Sequence, residues 1–440
     1  MVWPLIADVP QNRTALATLG VSVMLARRTK VSWPVLLLLA IPAFFCVAAG
    51  YIVVIRSYVF TYFFFAVTLL CLEEMNRGRR WPMGVLALTI WIWANVHGGF
   101  VVGLGMMGIY TLIGLWRRSN WLILGTTTLI CFGITFLNPY DVDFWRYLIP
   151  ALFQPRPFIT EWQPIPFWTI NGFTGFRILF LLALIAVPLG WKHIPQPKSW
   201  NGIAVLAATA LAAWHSRRHA PFFGVAALIF LGPFIESAWQ RCFGKPVNNP
   251  RGEKMLGYAV FLIYGAMALF AATRFLPHAS FQVLAPVGSF PVREVDVLKQ
   301  ANASGNLVVP FEWGSYASWR LYPPVKISLD GRYETTYPES TFLMGMDFQY
   351  KLGTNWNRLI RDFPVDFIIL DLQRGGVHPE DLSPYGYAVV WSDDSFSALL
   401  ASTNKFAALQ QAAQNLPPVT IDPLDARIPQ HWWPKDSKPK

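Results

Sequence analysis

Charge is what this 440-residue chain has least of: Asp, Glu, Lys and Arg make up 14% of it, against 54% hydrophobic and 15% aromatic residues. A soluble globular chain carries roughly one quarter charged residues, so that class is excluded for the chain as a whole. The shortage falls mainly on acids in the first part. Up to Phe275 lie 8 of the 25 acidic residues but 22 of the 36 basic ones, whereas the remainder is mildly acidic. The net charge of +11 thus belongs to the apolar part, and no nucleic-acid partner is expected from it. Cysteine is scarce too. Cys46, Cys71, Cys131 and Cys242 lie in or beside apolar runs without metal-ligand spacing, and none follows Cys242, which rules out disulfides and thiolate zinc there. There is no internal repeat. Met1 to Arg13 has neither the basic start nor the apolar core of a cleavable leader.

What the chain has instead is apolar runs of about 17 to 25 residues, the length that spans a bilayer. They cover roughly 33–55, 57–73, 81–96, 100–116, 121–137, 176–191, 202–215, 219–235 and 255–274, with a shorter run at 14–26. A mean hydropathy of +0.37 is modest for a pure membrane bundle and implies a sizeable soluble part. The expected architecture is a mainly α-helical integral membrane bundle of about ten transmembrane helices. It covers residues 1–275 and is followed by a small extracytoplasmic α/β domain over 276–415 and a Pro-rich tail over 416–440. Basic turns occur at "RRTK" (Arg27 to Lys30), "RGRR" (Arg77 to Arg80), "RRS" (Arg117 to Ser119), 192–198 and 241–254. In a ten-helix alternation they share one side, which the positive-inside tendency makes cytoplasmic. The turn at His97 to Gly99, a long loop over 138–175, "SRRH" (Ser216 to His219) and everything after Phe275 fall on the other side.

After Phe275 the pattern changes. "NLVVPF", "VKISLD", "DFIILD" and "YAVVW" are short β-branched runs, expected as buried strands, and "EWGSYASWRL" and "NWNRLIRDF" between them have helical spacing. Their alternation implies a mostly parallel sheet.

Several polar groups interrupt the apolar pattern. Arg217, Arg218 and His219 stand on the side where few positive charges belong. Guanidinium forks there suit a phosphate or pyrophosphate; headgroup anchoring of a helix end is the alternative. In "WANVHGGFVVG", Gly98 and Gly99 permit a tight turn that brings Asn95 and His97 to the membrane edge. These two can touch a sugar or acceptor, or simply bond a neighbouring loop. The loop after Asn138 holds Asp141 and Asp143, a DxD spacing that can present two carboxylates to a divalent cation but recurs often by chance. Glu161, beside Trp162 between proline-rich turns, can orient an acceptor hydroxyl or pair with Arg146 or Arg156. Asp330 and Arg332, with Tyr333 and Glu334, follow the second strand and form either a polar rim or an internal ion pair.

The ordered set "RSYVFTYFF", "WANVHGGFVVGL", "FLNPY", "EWQP", "RRHAPFF" and "FEWGSY…ISLDGRYETTYP" resembles bacterial polytopic proteins related to C-type (GT-C) glycosyltransferases. The resemblance runs from about Arg56 to Leu400. It implies an inner-membrane protein, and a sugar moved on the extracytoplasmic side from a polyprenyl-phosphate-linked donor by an inverting reaction. The donor phosphate would sit on Arg217, Arg218, His219 and Arg56, and the sugar near His97 and Glu161, the two catalytic candidates. "FEWGSY" distantly resembles the acceptor-recognising turn of oligosaccharyltransferase catalytic subunits, which implies Glu312, Trp313 and Tyr316 on the acceptor side. No cofactor is implied, and a divalent metal stays open because arginines can meet the phosphate charge. Two departures matter. The family pattern begins with a helix and a large first external loop that holds the usual catalytic carboxylate, whereas this sequence begins at "MVWPLIADVPQNRT", so either the start lies further upstream or this member lacks that residue; and "NPYD" stands where a glycine would follow "NPY". The alternative reading is therefore a non-catalytic member that binds lipid-linked glycan or serves as an assembly subunit.

Overall fold

The computed structural model describes residues 11–29, 31–48, 57–154, 156, 159–166, 173–192, 194, 199–243, 258, 290–332, 336–393 and 396–416. The apolar run at 255–274, Arg56, Tyr333, Glu334 and the tail after Leu416 lie outside them. The chain is mostly helical and divides into two units, Met1–Arg274 and Phe275–Lys440.

The first unit is built from α1 (Gln11–Arg27), α2 (Trp33–Ala48), α3 (Tyr58–Asn76), α4 (Pro82–Val96), α5 (Phe100–Trp116), α6 (Trp121–Ile134), α7 (Asp141–Phe153), α8 (Thr174–Gly190), α9 (Trp200–His215), α10 (Ala220–Phe230) and α11 (Gly232–Phe243). Every residue of α10 is buried, as its all-round apolar sequence requires, and it packs against α1, α2, α3, α8 and α9. Pro82 and Pro221 fall in the first helical turns of α4 and α10, where no backbone N–H partner is lost. The apolar run at 219–235 is not one helix: the chain bends by 55° between α10 and α11, at Leu231. The expected loop at 138–175 contains α7, whose first turn carries Asp141 and Asp143, the placement a helix N-terminus favours for acids. Among the described residues only α3 is by itself long and apolar enough to cross a membrane, or up to two spans if the bent pair counts as one.

Two ends of this unit differ in character. Arg28, Arg77 and Arg79 all pair with the fully buried carboxylate of Glu74, near the end of α3. At that end the Arg27 guanidinium lies 4.4 Å from the Trp33 ring centre, and Trp200 packs on both Trp116 and Trp191. The start of α3 holds Tyr58, Thr61 and Tyr62, close to the turn after α4. Between these ends, large apolar side chains face outward: Leu112, Leu122, Leu129, Ile185 and Leu211 are exposed.

The second unit has α12 (Val292–Gln300), β1 (Gly305–Val308), α13 (Phe311–Leu321), β2 (Val325–Ile327), α14 (Glu339–Tyr350), α15 (Arg358–Asp362), β3 (Phe367–Asp371), α16 (Pro379–Leu382), β4 (Tyr387–Asp393), β5 (Ser397–Ser402) and α17 (Thr403–Asn415). Strand order is β2-β1-β3-β5-β4. The first three strands are parallel, but β5 runs antiparallel to both β3 and β4, so the sheet is mixed rather than mostly parallel. The fifth strand, "SALLAS", was not among the expected ones; its small residues pair β3 to β4 and bury almost completely. One face packs Val295, Leu298, Trp313, Ala317 and Leu409; the other packs Phe348, Leu359, Ile360 and Leu382. A β1 flanked on one side by β2 and on the other by β3 is a topological switch, the usual position of a crevice in such sheets.

Candidate functional site

At the starting end of α3, three segments far apart in sequence converge. The first is α3 itself, with Thr61 one turn in. The second is the turn after α4, where His97 leaves the helix with an extended backbone (φ −160°, ψ 139°). Thr61 Oγ1 accepts a hydrogen bond from Trp93 Nε1 at 3.0 Å and lies 2.9 Å from His97 Nδ1. The Gly99 backbone N–H also donates to Nδ1, at 3.0 Å. Nδ1 is thereby held as an acceptor, which places the imidazole proton on Nε2. Gly99 is required here: a Cβ would lie 2.7 Å from the Thr61 hydroxyl and 2.8 Å from His97 Nδ1.

The third segment joins two short 3-10 turns, Thr160–Trp162 and Arg217–His219. The Arg217 N–H donates to the Gln163 carbonyl at 3.0 Å, and Ser216 Oγ donates to the Glu161 carbonyl at 3.2 Å. This stitching delivers Arg218 to His97: Arg218 Nη2 lies 3.3 Å from His97 Nε2, and Nη1 donates to Glu161 Oε1 at 3.4 Å. The guanidinium carbon stands 5.0 Å from the Trp162 ring centre and 5.5 Å from that of Tyr58, within cation–π reach of both. Burial first, and then the Arg218 charge, push the His97 pKa down to about 4, so the ring is neutral at pH 7. A neutral Nε2–H and a guanidinium N–H therefore face each other, two donors 3.3 Å apart. An acceptor oxygen presented to both would be shared between them; neither can satisfy the other.

The expected residues separate in instructive ways. Arg217 and Arg218 diverge: Arg217 Nε donates to the Pro164 carbonyl at 3.1 Å, and its guanidinium lies 5.9 Å from the Phe173 ring centre. His219 turns back on α9, with Nδ1 3.2 Å from the Ala212 carbonyl. Asn95 donates to the carbonyls of Trp91 and Leu137, tying α4 to the end of α6. Asp143 pairs with Arg146 on the surface of α7, and among the described residues no group of three or more His, Cys, Asp or Glu is placed to hold a metal ion. The acid in the cluster is Glu161, which pairs with Arg218. Arg156 donates to the Ala151 carbonyl and stacks on Trp162 at 4.2 Å. Thr61 and Trp93 were not singled out in the sequence. No sequence signal marked them, because their partners lie 36 and 32 residues away.

In the second unit Trp313, expected on the acceptor side, is 4% exposed and packs against Phe396 in the core. A one-residue shift on α13 separates it from Glu312, which faces outward and pairs with Arg374 and Gln349. Tyr316 is half-buried between Phe290 and Trp319. Asp330 is buried and takes both the backbone N–H and the guanidinium of Arg332, so these two form the internal ion pair rather than a free polar rim. Glu312, Asp371 and Arg374 meet over the β1/β3 switch, where burial pushes the Asp371 carboxyl up and Arg374 partly offsets it.

No family model matches the chain, and no curated protein does either.

Proposed function

We propose that the chain is a GT-C-like membrane glycosyltransferase that moves a sugar from a polyprenyl-phosphate-linked donor to an acceptor on the extracytoplasmic side. The observation that carries the reading is the pair of donors at His97 Nε2 and Arg218, which suits a shared phosphate oxygen. Around it, Tyr58 and Trp162 supply flat apolar walls of the kind that hold sugar and guanidinium faces. Glu161, 3.4 Å from Arg218, is the carboxylate that would take the acceptor proton. With His97 neutral, its role is donation to the leaving phosphate oxygen, not general base.

The membrane part of the proposal rests on three features. Helices of the first unit are apolar on both faces, with Leu112, Leu129 and Leu211 exposed, which water would penalise and acyl chains would not. Arg27, Arg28, Arg77 and Arg79 gather at one end with Trp33, Trp116, Trp191 and Trp200, an aromatic belt with positive charge as on a cytoplasmic face. Most helices are shorter than a bilayer: α5, of 17 residues, covers about 26 Å against about 30 Å of hydrocarbon. Flanking Trp and Arg side chains and local thinning would absorb that mismatch.

The second reading, a non-catalytic protein that keeps the phosphate site, is favoured by one observation. Glu161 is already paired with Arg218, so its freedom to act as a base depends on the donor phosphate taking that guanidinium over. The deciding experiment reconstitutes the chain and its Glu161→Gln variant with a short-chain prenyl-phosphate sugar. Transfer by the wild type that falls at least 100-fold in the variant, with donor binding retained, supports the enzyme. Equal binding with no transfer by either supports the second reading. No binding by the wild type refutes both.

A further inference from the structure

A polar cavity lies at the far end of α3. From Thr61 to Glu73 the helix climbs about 18 Å, at 1.5 Å per residue, so the cavity is separate from the Arg218 cluster. It is lined by Leu25, Ile229, Phe230, Pro233 and Phe234 on its apolar side and by Thr29, Glu73, Arg77 and Ser199 on its polar side, with a volume of about 100 Å³. The wall is a consequence of the break between α10 and α11: the 55° bend at Leu231 swings Pro233 and Phe234 away from the line of α10 and opens a wedge.

Each polar group there has a defined hydrogen-bonding sense. Tyr110, fully buried, donates its hydroxyl to Glu73 Oε1 at 2.7 Å and fixes the carboxyl in the cavity wall. Thr29 Oγ1 gives its proton to the Ala26 carbonyl at 2.7 Å, which leaves its lone pairs as acceptors. Ser199 Oγ accepts the Gly202 N–H at 3.1 Å and keeps its own proton to donate. Arg77 stands at the mouth beside Arg28 and Arg79, three guanidiniums that share the one carboxylate of Glu74 and leave an excess of positive charge. Glu73 and Thr29 thus form an acceptor pair inside, and Arg77 and Ser199 a donor pair, both against an apolar wall.

We propose that this cavity binds an aminophospholipid of the ethanolamine type. Its ammonium would meet Glu73 and Thr29, its phosphate Arg77 and Ser199, and its acyl chain Phe230 and Phe234. The Glu73 carboxyl, held by Tyr110, presents an acceptor to the cavity, while the Arg77 guanidinium at the mouth is engaged with Glu74. A primary ammonium has N–H donors for the Glu73 carboxyl and the Thr29 hydroxyl, whereas trimethylammonium has none. The proposal rests on the membrane reading of the first unit.

The test uses the full chain extracted from carbonate-washed membranes. It is exchanged into nanodiscs of phosphatidylcholine containing equal fractions of phosphatidylethanolamine and phosphatidylglycerol, and retained lipid is counted by native mass spectrometry. Retention of phosphatidylethanolamine at least tenfold above the other two is expected, and Glu73→Gln, which keeps the size and the Tyr110 bond, should abolish the preference. Thr29→Leu narrows the cavity from a different segment and should do the same if the Glu73 variant fails to fold. Equal retention of phosphatidylglycerol, or a preference untouched by both substitutions, overturns the site. A chain absent from the washed membranes overturns the membrane reading together with it, whereas a membrane-embedded chain without preference overturns this site alone.

Discussion

Arginines 217 and 218 are adjacent and chemically identical, yet they should respond very differently to removal. Arg218 reaches His97 at 3.3 Å and Glu161 at 3.4 Å, between two aromatic rings, and its side chain is 23% exposed. An oxyanion seated against it would gain a charge-assisted hydrogen bond, which contributes about 1.5–3 kcal/mol. Truncation to alanine would also remove the Arg218 charge from beside the Glu161 carboxylate. A loss of about 2.7 kcal/mol corresponds to a dissociation constant raised about 100-fold, at 1.4 kcal/mol per decade. Arg217 spends its Nε–H on the Pro164 carbonyl, so Arg217→Ala should cost about 1 kcal/mol of loop stability and change affinity less than about threefold. Arg218→Lys keeps the charge but loses the planar fork and should fall between the two, near tenfold. Titration of a water-soluble prenyl phosphate into each purified variant, followed calorimetrically, gives the comparison. Equal weakening by Arg217→Ala and Arg218→Ala would refute the argument, because it would mean the anion is held by summed surface charge rather than by the convergence of Arg218 with His97.

Three further outcomes follow from named contacts. His97 has a folded pKa of about 4 against about 6.5 for an unperturbed imidazole. The unfolded chain therefore takes the proton first, and stability fully present above pH 6.5 is lost as pH falls through 4. The difference is worth about 3 kcal/mol. His97→Asn should flatten that part of the pH profile of thermal unfolding between pH 7 and 4.5, and an unchanged profile would show that His97 is not the group responsible. Gly99→Ala places a Cβ against Thr61 and His97; a destabilisation of about 1–3 kcal/mol is expected, together with weaker anion binding, and native stability in a denaturant titration would contradict the geometry. Trp313→Ala empties the core of the second unit and should cost about 3–5 kcal/mol, read as faster amide exchange in β1 and β3. A surface Trp313 would cost far less.

Local pattern carried the helices well where a helix is apolar throughout and bounded by charged turns. Runs at 100–116 and 202–215 correspond closely to α5 and α9, since an apolar stretch between Arg-rich or polar turns has one low-energy reading. It carried them poorly where a run hides a break. The segment 219–235 is uniformly apolar, and nothing in its composition distinguishes a straight helix from one bent at Leu231, where Gly232 packs on Val31. The strand β5 was missed for a related reason: "SALLAS" has no β-branched residue, and what makes it a strand is two neighbours, 26 residues apart at closest register on one side.

The amino-acid sequence by itself determined the two-part division and the placement of most helices. These depend on the density and period of apolar residues, which act locally. Only the tertiary structure decided which arginine enters the site, that Trp313 belongs to a core, and that Thr61 and Gly99 set the tautomer of His97. Those outcomes depend on side chains brought together from distant segments, 121 residues apart for Arg218 and His97, and on rotamers that neighbouring helices impose. A doublet such as Arg217-Arg218 gives no hint of its own asymmetry. The 3-10 turn fixes it, by aiming one side chain at a carbonyl and the next at an imidazole.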